Sequence, residues 1–590
     1  MNALDPDTGF HAWNPGIEST LPRRFLPLST LFRPENVVST LPQLQELNSF
    51  SGIAIEEMTE FRTERLVVHE LLIRVMADLS VSDGSRYEDL GINFRHIVGT
   101  ILSKYISPHI DELRAIHDRL RLEASELLRQ ELEGLLSPSP KIAPVIDKKP
   151  GFFRLPIRGW ARAPVAPETT EERHQRLLKT WQTESQTADT PLRRKVCAAL
   201  VQVTNAVTSH HGYLVCDAAL LSALAIPLIC NDYASEVIGN HIEPYVRRAI
   251  TAEGYKVLPP QARPVVMNVK GSSASGKSSM RPLQKELAER LGIHWDEFAL
   301  ISPDIWRKFL LDYTSLGPAR RYAGTLTGHE VAIIDKKLDR YMANKGERGL
   351  ITHLLVDRFR FDSFTAGEED GSRLLTRFGH EVYLFFMVTP PEATVERAWT
   401  RGEQVGRYKA IDDLLDHNIE AYTGMPRFLF TWTSKQDKRV HFEFLDNNVP
   451  EGCRPNTIAF GTGNEINVLD VEGLRDIDRF RKININARRP EEVYLSDCRG
   501  AGADTEFLRQ CVQRMPVINF VDRLSGQIYA KVQDGVLALS SAGLVDPDVK
   551  AELAAIANEI ARSVRECGDD FGRVKPDQTS RLGQWELNCP

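Results

Sequence analysis

Residues 271–279 read Gly271, Ser272, Ser273, Ala274, Ser275, Gly276, Lys277, Ser278 and Ser279. They match G-x-x-x-x-G-K-[ST], in which glycines let backbone N–H groups turn inward around a polyphosphate. In that pattern Lys277 reaches the β- and γ-phosphates, and the Ser278 hydroxyl ligates Mg²⁺. The preceding run, Val265–Val269, reads as a buried strand. The following residues, through Leu291, read as a helix whose N-terminal end adds a positive dipole. ATP and Mg²⁺ are therefore the expected ligands.

Three further blocks could complete a reaction centre. The next strand ends in Ser302-Pro303-Asp304, with Arg307 three residues on. At a strand C-terminus Asp304 faces the ligand crevice of a parallel sheet, where it could take the proton of an attacking hydroxyl. The run Leu354-Leu355-Val356-Asp357 ends in an acid suited to holding Mg²⁺ or its water. Arg397, Arg401 and Arg407 follow the fourth strand, with Gly406 as a hinge. Phosphoryl transfer needs positive charge of this kind around the transferred group.

Residues 264–420 resemble the zeta-toxin family of P-loop kinases, relatives of chloramphenicol phosphotransferase and polynucleotide kinase. Four blocks carry the resemblance in order: Gly271–Ser279, Ser302–Arg307, Thr327-Gly-His-Glu330 and Glu396-Arg397 with Gly406-Arg407. It implies Asp304 as base, Glu330 as a residue holding the acceptor, and Arg397 and Arg407 as phosphate clamps. It also implies a nucleotide-containing metabolite as acceptor, of which UDP-N-acetylglucosamine and NAD are examples in the family. The family's acid-Gly-Thr motif is replaced by Asp357-Arg358-Phe359-Arg360-Phe361. Arg358 and Phe359 could then bind an extra phosphate and stack on a base, while Arg307 helps Glu330 orient the acceptor. A nucleotide-operated switch and a polynucleotide 5′-kinase are the alternative functions. An acidic net charge and the lack of a basic stripe count against nucleic acid.

These blocks need a scaffold. Five apolar runs, Val265–Val269, Phe298–Ser302, Ile351–Val356, Val382–Val388 and His441–Leu445, alternate with helical segments. That alternation predicts an α/β core with a five-stranded parallel sheet and helices on both faces, over residues 259–450. Residues 1–45 read as a poorly ordered lead-in. A helical domain is expected over 46–135, with Ser107-Pro108 opening a long amphipathic helix. A Pro-rich linker over 136–172 and a second helical domain over 173–258 follow. Residues 451–590 read as a mixed α/β region, with an amphipathic helix from Asp546 through Val564.

Composition sets outer limits. The chain has 590 residues, 42% hydrophobic and 26% charged, with a net charge of −7. Several domains are expected, and no membrane span, because the apolar run near Leu214–Cys230 is interrupted by Asp217 and Pro227. Eight cysteines without a C-x-x-C pair argue against zinc or disulfide frameworks. Met1–Gln45 holds no apolar signal core. A cytoplasmic location is expected, or delivery into a host or target cell if the chain is a toxin or effector; an inhibitory or chaperone protein would then be a partner. His69-Glu70 has Ile73 where a second zinc ligand would fall, and Gly461-Thr-Gly463 lacks dinucleotide-fingerprint spacing.

Overall fold

The computed structural model describes residues 9–86, 88–136, 169–213, 217–358, 375–495, 505–540, 563–567, 571–575 and 580–585. The chain forms two compact units. One comprises Met1–Thr30, Leu72–Thr100 and Ala249–Pro590; the other comprises Leu31–Leu71 and Ile101–Arg248. This division runs across the expected boundaries at 45, 135 and 258, and it keeps residues 451–590 with the α/β core.

The second unit is helical. Its core gathers Ala124, Leu128, Trp181, Leu200, Val203 and Leu224. Thr169 and Glu172 form a capping box at Thr170–Thr187, and Thr190 with Pro191 opens Pro191–His211. The helix expected from Ser107 is Ile110–Leu136, with Leu113, Ala124 and Leu128 buried as its pattern requires. Ser107–His109 is a 3₁₀ turn that follows a π-helical stretch, Ile101–Ile106, so Pro108 sits within a longer helical run. The linker prolines 138–167 lie outside the described residues. Ala218–Glu253 is long and apolar enough to cross a membrane, but 56% of its apolar window is buried, as in a core helix.

The first unit is mixed α/β. Its strands are β1 (Val265–Lys270), β2 (Phe298–Ile301), β3 (His353–Val356), β4 (Glu381–Val388), β5 (Arg439–Asp446), β6 (Asn456–Thr462), β7 (Glu465–Val468), β8 (Val517–Val521), β9 (Ile528–Gln533), β10 (Val536–Ser540) and β11 (Ser563–Cys567). They form one sheet in the order β11-β10-β9-β8-β7-β6-β5-β4-β1-β3-β2. The five strands expected from sequence are β1–β5, and they pair in parallel throughout. Every residue of β1, β2 and β3 is buried, which is why these segments are apolar runs rather than alternating patterns.

The chain leaves β1 towards β2 and β3 on one side, then crosses to β4 and β5 on the other. The connections leaving β1 and β3 therefore run in opposite directions along the sheet, a topological switch point of the kind at which an α/β sheet opens a ligand crevice. The loop 271–276 follows β1, and Asp357 follows β3.

Residues beyond 450 extend this sheet. β6 pairs antiparallel onto β5 and β7 antiparallel onto β6, and one core joins Phe386, Phe428, Phe442 and Phe444 to Ile466, Phe507 and Ile518. Buried Glu443 on β5 accepts hydrogen bonds from Thr457 Oγ1 at 2.7 Å and from the backbone N–H of Leu582 at 2.7 Å and Gly583 at 3.2 Å. The expected helix from Asp546 lies outside the described residues except for its last two positions; Ser563 and Val564 are in β11, paired with β10, not in a helix.

Two other expectations are corrected. Residues 9–30 are packed: Ala12 and Trp13 are buried, and Ile17, Leu21, Phe25 and Leu28 rest against Leu311, Leu316 and Tyr322. Their composition disfavours long helices, but single apolar side chains spaced along an irregular segment still find a surface. Cys453 takes part in a disulfide, while Cys197, Cys230 and Cys511 are free and buried. Spacing along the chain cannot show which cysteines meet in space.

Candidate functional site

The loop after β1 has the backbone of a phosphate cradle. Ala274 (φ 62°) and Gly276 (φ 93°) are both left-handed, and alternation of this kind turns successive N–H groups inward. A Cβ at Gly276 would lie 2.2 Å from Asn447 Nδ2, and one at Gly271 would lie 2.8 Å from Met387 Cβ. Both glycines are thus required by close approach. Asn447, just past β5, donates from Nδ2 to the Ser275 carbonyl at 2.8 Å, and Thr389, just past β4, donates to the same carbonyl at 3.2 Å. The Ser272 and Ser275 hydroxyls are buried without a hydrogen-bond partner among the described residues. Buried polar atoms left in this state cost free energy unless a ligand satisfies them.

Lys277 folds back on this loop, donating from Nζ to the carbonyls of Gly271 at 3.0 Å and Ser272 at 2.7 Å. Burial pushes its pKa down to about 8; Asp357 and Asp304 draw it back up, while Arg401 and Arg407 lower it further. Lys277 therefore lies among the residues that sequence assigned to three separate blocks. Ser278 Oγ donates to Asp357 Oδ2 at 2.7 Å, so the two expected Mg²⁺ ligands meet. Asp357 is also 4.0 Å from Arg281, in the helix after the loop. Ser279 Oγ donates to the Gly276 carbonyl at 2.6 Å, closing the turn. Ser273 is half-buried in the same loop.

Asp304 is held between two arginines. Arg307 Nε donates to Oδ1 at 2.9 Å, and Arg407 donates to Oδ2 at 2.6 Å. Burial among surrounding atoms would raise its pKa, but Arg407 and Arg307 outweigh that and hold it well below the usual carboxylate range. Half of its side-chain surface remains open to water, which screens these pairs. Arg307 also donates to Gly324 O at 2.7 Å and Thr327 Oγ1 at 2.9 Å. It thus ties Asp304 to the helix Ala323–Glu347. Glu330 lies one turn beyond Thr327 in that helix and is fully buried.

Of the remaining expected residues, Arg397 and Arg358 are bonded to other protein groups. Arg397, in the helix Pro391–Val405, donates to the Asn447 carbonyl at 2.7 Å and so braces the residue that props the phosphate loop. Arg358 is buried, donating from Nε to Asp335 Oδ1 at 2.9 Å and from Nη1 to Asp339 Oδ1 at 2.7 Å. Burial alone would lower its pKa, but the two carboxylates reverse that and raise it. Its guanidinium is committed to the fold and does not present itself as a ligand for an extra phosphate. Phe359 lies outside the described residues.

Several residues here carry no sequence signal of their own. Lys409 pairs with Asp413 at 3.2 Å and hydrogen-bonds His417. Burial takes its pKa down to about 8, with Asp413 opposing, Arg401 adding to the drop and Asp304 opposing it. Tyr313 is buried beside Arg307, Arg407 and Asp304, and burial raises its pKa. Neither residue belongs to a motif; both were placed by the helices that pack around the crevice.

In the second unit, Glu131, Glu184 and Cys197 lie close enough to share a cation. Arg193 already pairs with both carboxylates, at 2.8 and 2.7 Å, so nothing there calls for a metal. His210 and His211 bond separately to the carbonyls of Ser49 and Phe50. Compared with known proteins, the chain matches no family model, and no curated protein is significantly similar to it.

Proposed function

We propose that the chain is a Mg²⁺- and ATP-dependent kinase that transfers the γ-phosphate to a hydroxyl of a small, nucleotide-containing metabolite. The observation that carries this reading is the convergence at the β1/β3 switch point. A phosphate cradle, a hydroxyl–carboxylate pair and a carboxylate between two arginines gather around Lys277, whose charge Asp357, Asp304 and Arg407 all influence. A phosphate-binding protein without chemistry has no need of the last of these.

The fit to Mg²⁺ rests on the Ser278–Asp357 contact, since a hydroxyl and a carboxylate 2.7 Å apart are hard oxygen donors of the kind this ion takes. Mg²⁺ held there would neutralise charge on the β- and γ-phosphates. Lys277 exchanges its two loop carbonyls for phosphate oxygens. Asp304, ionised throughout the neutral range, accepts the proton of the acceptor hydroxyl as it attacks. Arg407 leaves Asp304 for the transferring group as the acceptor arrives, and Arg307 keeps the carboxylate aimed. Glu330 sits on the helix that would line the acceptor side.

The test is label transfer from γ-labelled ATP to NAD, UDP-sugars, nucleosides and an oligonucleotide, with wild type and Asp304→Asn. A labelled metabolite that falls by about 10²–10⁴-fold in the variant is expected. Because Asp304 is half open to water, its pairs add little to stability, so the variant folds. MgATP binding without any labelled acceptor, unchanged by the substitution, would sink the kinase reading in favour of a nucleotide-operated switch.

A further inference from the structure

The segment Gly9–Thr30 contributes no motif, yet it touches the middle of the arginine-bearing helix Pro391–Val405. Trp13 Nε1 donates to Glu396 Oε1 at 2.9 Å, beside Arg397. Ala12 and Trp13 are buried in a cluster with Val395, Ala398, Ile411 and Leu415. Ala274, the left-handed residue of the phosphate loop, packs against the same cluster. Further along, Ser19 Oγ donates to Asp412 Oδ2 at 2.5 Å. Arg321 donates to the Pro15 carbonyl at 2.8 Å while lying 4.3 Å from the Phe10 ring and 5.1 Å from the Tyr408 ring. Tyr408 follows Arg407 directly.

From this geometry we infer that Gly9–Thr30 is a structural part of the nucleotide site and that Trp13 is a positioning residue for it. Trp13 fixes the middle of the arginine helix at Glu396, which sets Arg397 against Asn447, which in turn props Ser275. Its indole also belongs to the apolar cluster against which Ala274 packs. A side chain 258 residues before Gly271, where the first recognised block begins, thereby governs the shape of the phosphate cradle. The inference deepens the kinase reading, but its primary test does not depend on it.

That test is backbone hydrogen exchange on the nucleotide-free full chain, for wild type, Trp13→Ala, Trp13→Phe and Glu396→Gln. Trp13→Ala should speed exchange several-fold in 391–405 and in 271–279, leaving β4 unchanged. Trp13→Phe keeps the apolar contact and loses the N–H donor, so it should give a smaller increase confined to 391–405. Glu396→Gln retains an oxygen acceptor and should behave as wild type. MgATP titration then adds a functional readout, with Kd raised about tenfold in Trp13→Ala and hardly at all in Glu396→Gln. Unchanged exchange at 271–279 in Trp13→Ala would overturn the inference. So would a uniform increase across the sheet, which would mark Trp13 as ordinary core. If the wild type binds no MgATP, the kinase reading fails, and the exchange data still decide the role of Trp13.

Discussion

Lys277 offers a sharp test of the phosphate cradle, because its charge depends on whether the cradle is filled. In the free protein its pKa is pushed down to about 8, chiefly by burial. An unfolded lysine titrates near 10.4. A lysine whose folded pKa lies below its unfolded value costs stability while it is charged. That cost is fully present below about pH 8 and disappears as pH rises towards 10.4. Bound phosphates reverse the situation, since anions beside the ammonium favour its charged form. MgATP binding must therefore take up a proton wherever the free lysine is neutral.

The size follows from the pKa. With half-titration near 8, about one-tenth of the free sites are neutral at pH 7, half at pH 8 and nine-tenths at pH 9. Proton uptake on binding should rise from about 0.1 to about 0.9 over that range, and Kd should weaken about tenfold between pH 7 and pH 9. Calorimetry in buffers of different ionisation heat measures the uptake directly. Lys409 has a pKa lowered to about 8 near the same crevice, so Lys409→Met must be run beside Lys277→Arg, whose charge does not titrate. The slope should vanish in Lys277→Arg and persist in Lys409→Met. If wild type binds MgATP at pH 9 without proton uptake, or if the slope follows Lys409, the placement of Lys277 against the phosphates is wrong.

Three further substitutions separate cradle, metal pair and fold. Gly276→Ala forces a Cβ to within 2.2 Å of Asn447 Nδ2 at a φ of 93°; the strain, about 1–3 kcal/mol before any clash, should lower MgATP affinity tenfold or more in the same titration. Ser278→Ala removes the donor to Asp357, so the difference between ATP affinity with Mg²⁺ and with a chelator should shrink while metal-free binding stays intact. Arg358→Met removes the buried cation that pairs with Asp335 and Asp339; urea unfolding should show a loss of about 3–5 kcal/mol, and a change in acceptor preference without that loss would restore Arg358 as a substrate residue.

Sequence and structure part company where proximity is made by folding rather than by spacing. The five parallel strands were legible because burial on both faces leaves mainly apolar, non-alternating runs, broken in Val265–Lys270 and His353–Val356 only by buried Asn268, Lys270 and His353. The tight turn after β1 was legible because Gly276 answers to local backbone geometry. The meeting of Ser278 with Asp357, 79 residues apart, followed from strand order alone, since β1 and β3 are neighbours at the switch point. The role of Arg358 was not legible: an arginine after a strand reads the same whether it faces a ligand or two aspartates one turn apart on a crossing helix. Trp13 was harder still, because a single aromatic in a Pro- and Asn-rich stretch has no period to betray it. Yet its indole sits against the helix that carries the arginines, 383 residues on. A motif search fixes the atoms that touch phosphate; the residues that hold those atoms still are dispersed through the chain, and only the packed structure gathers them.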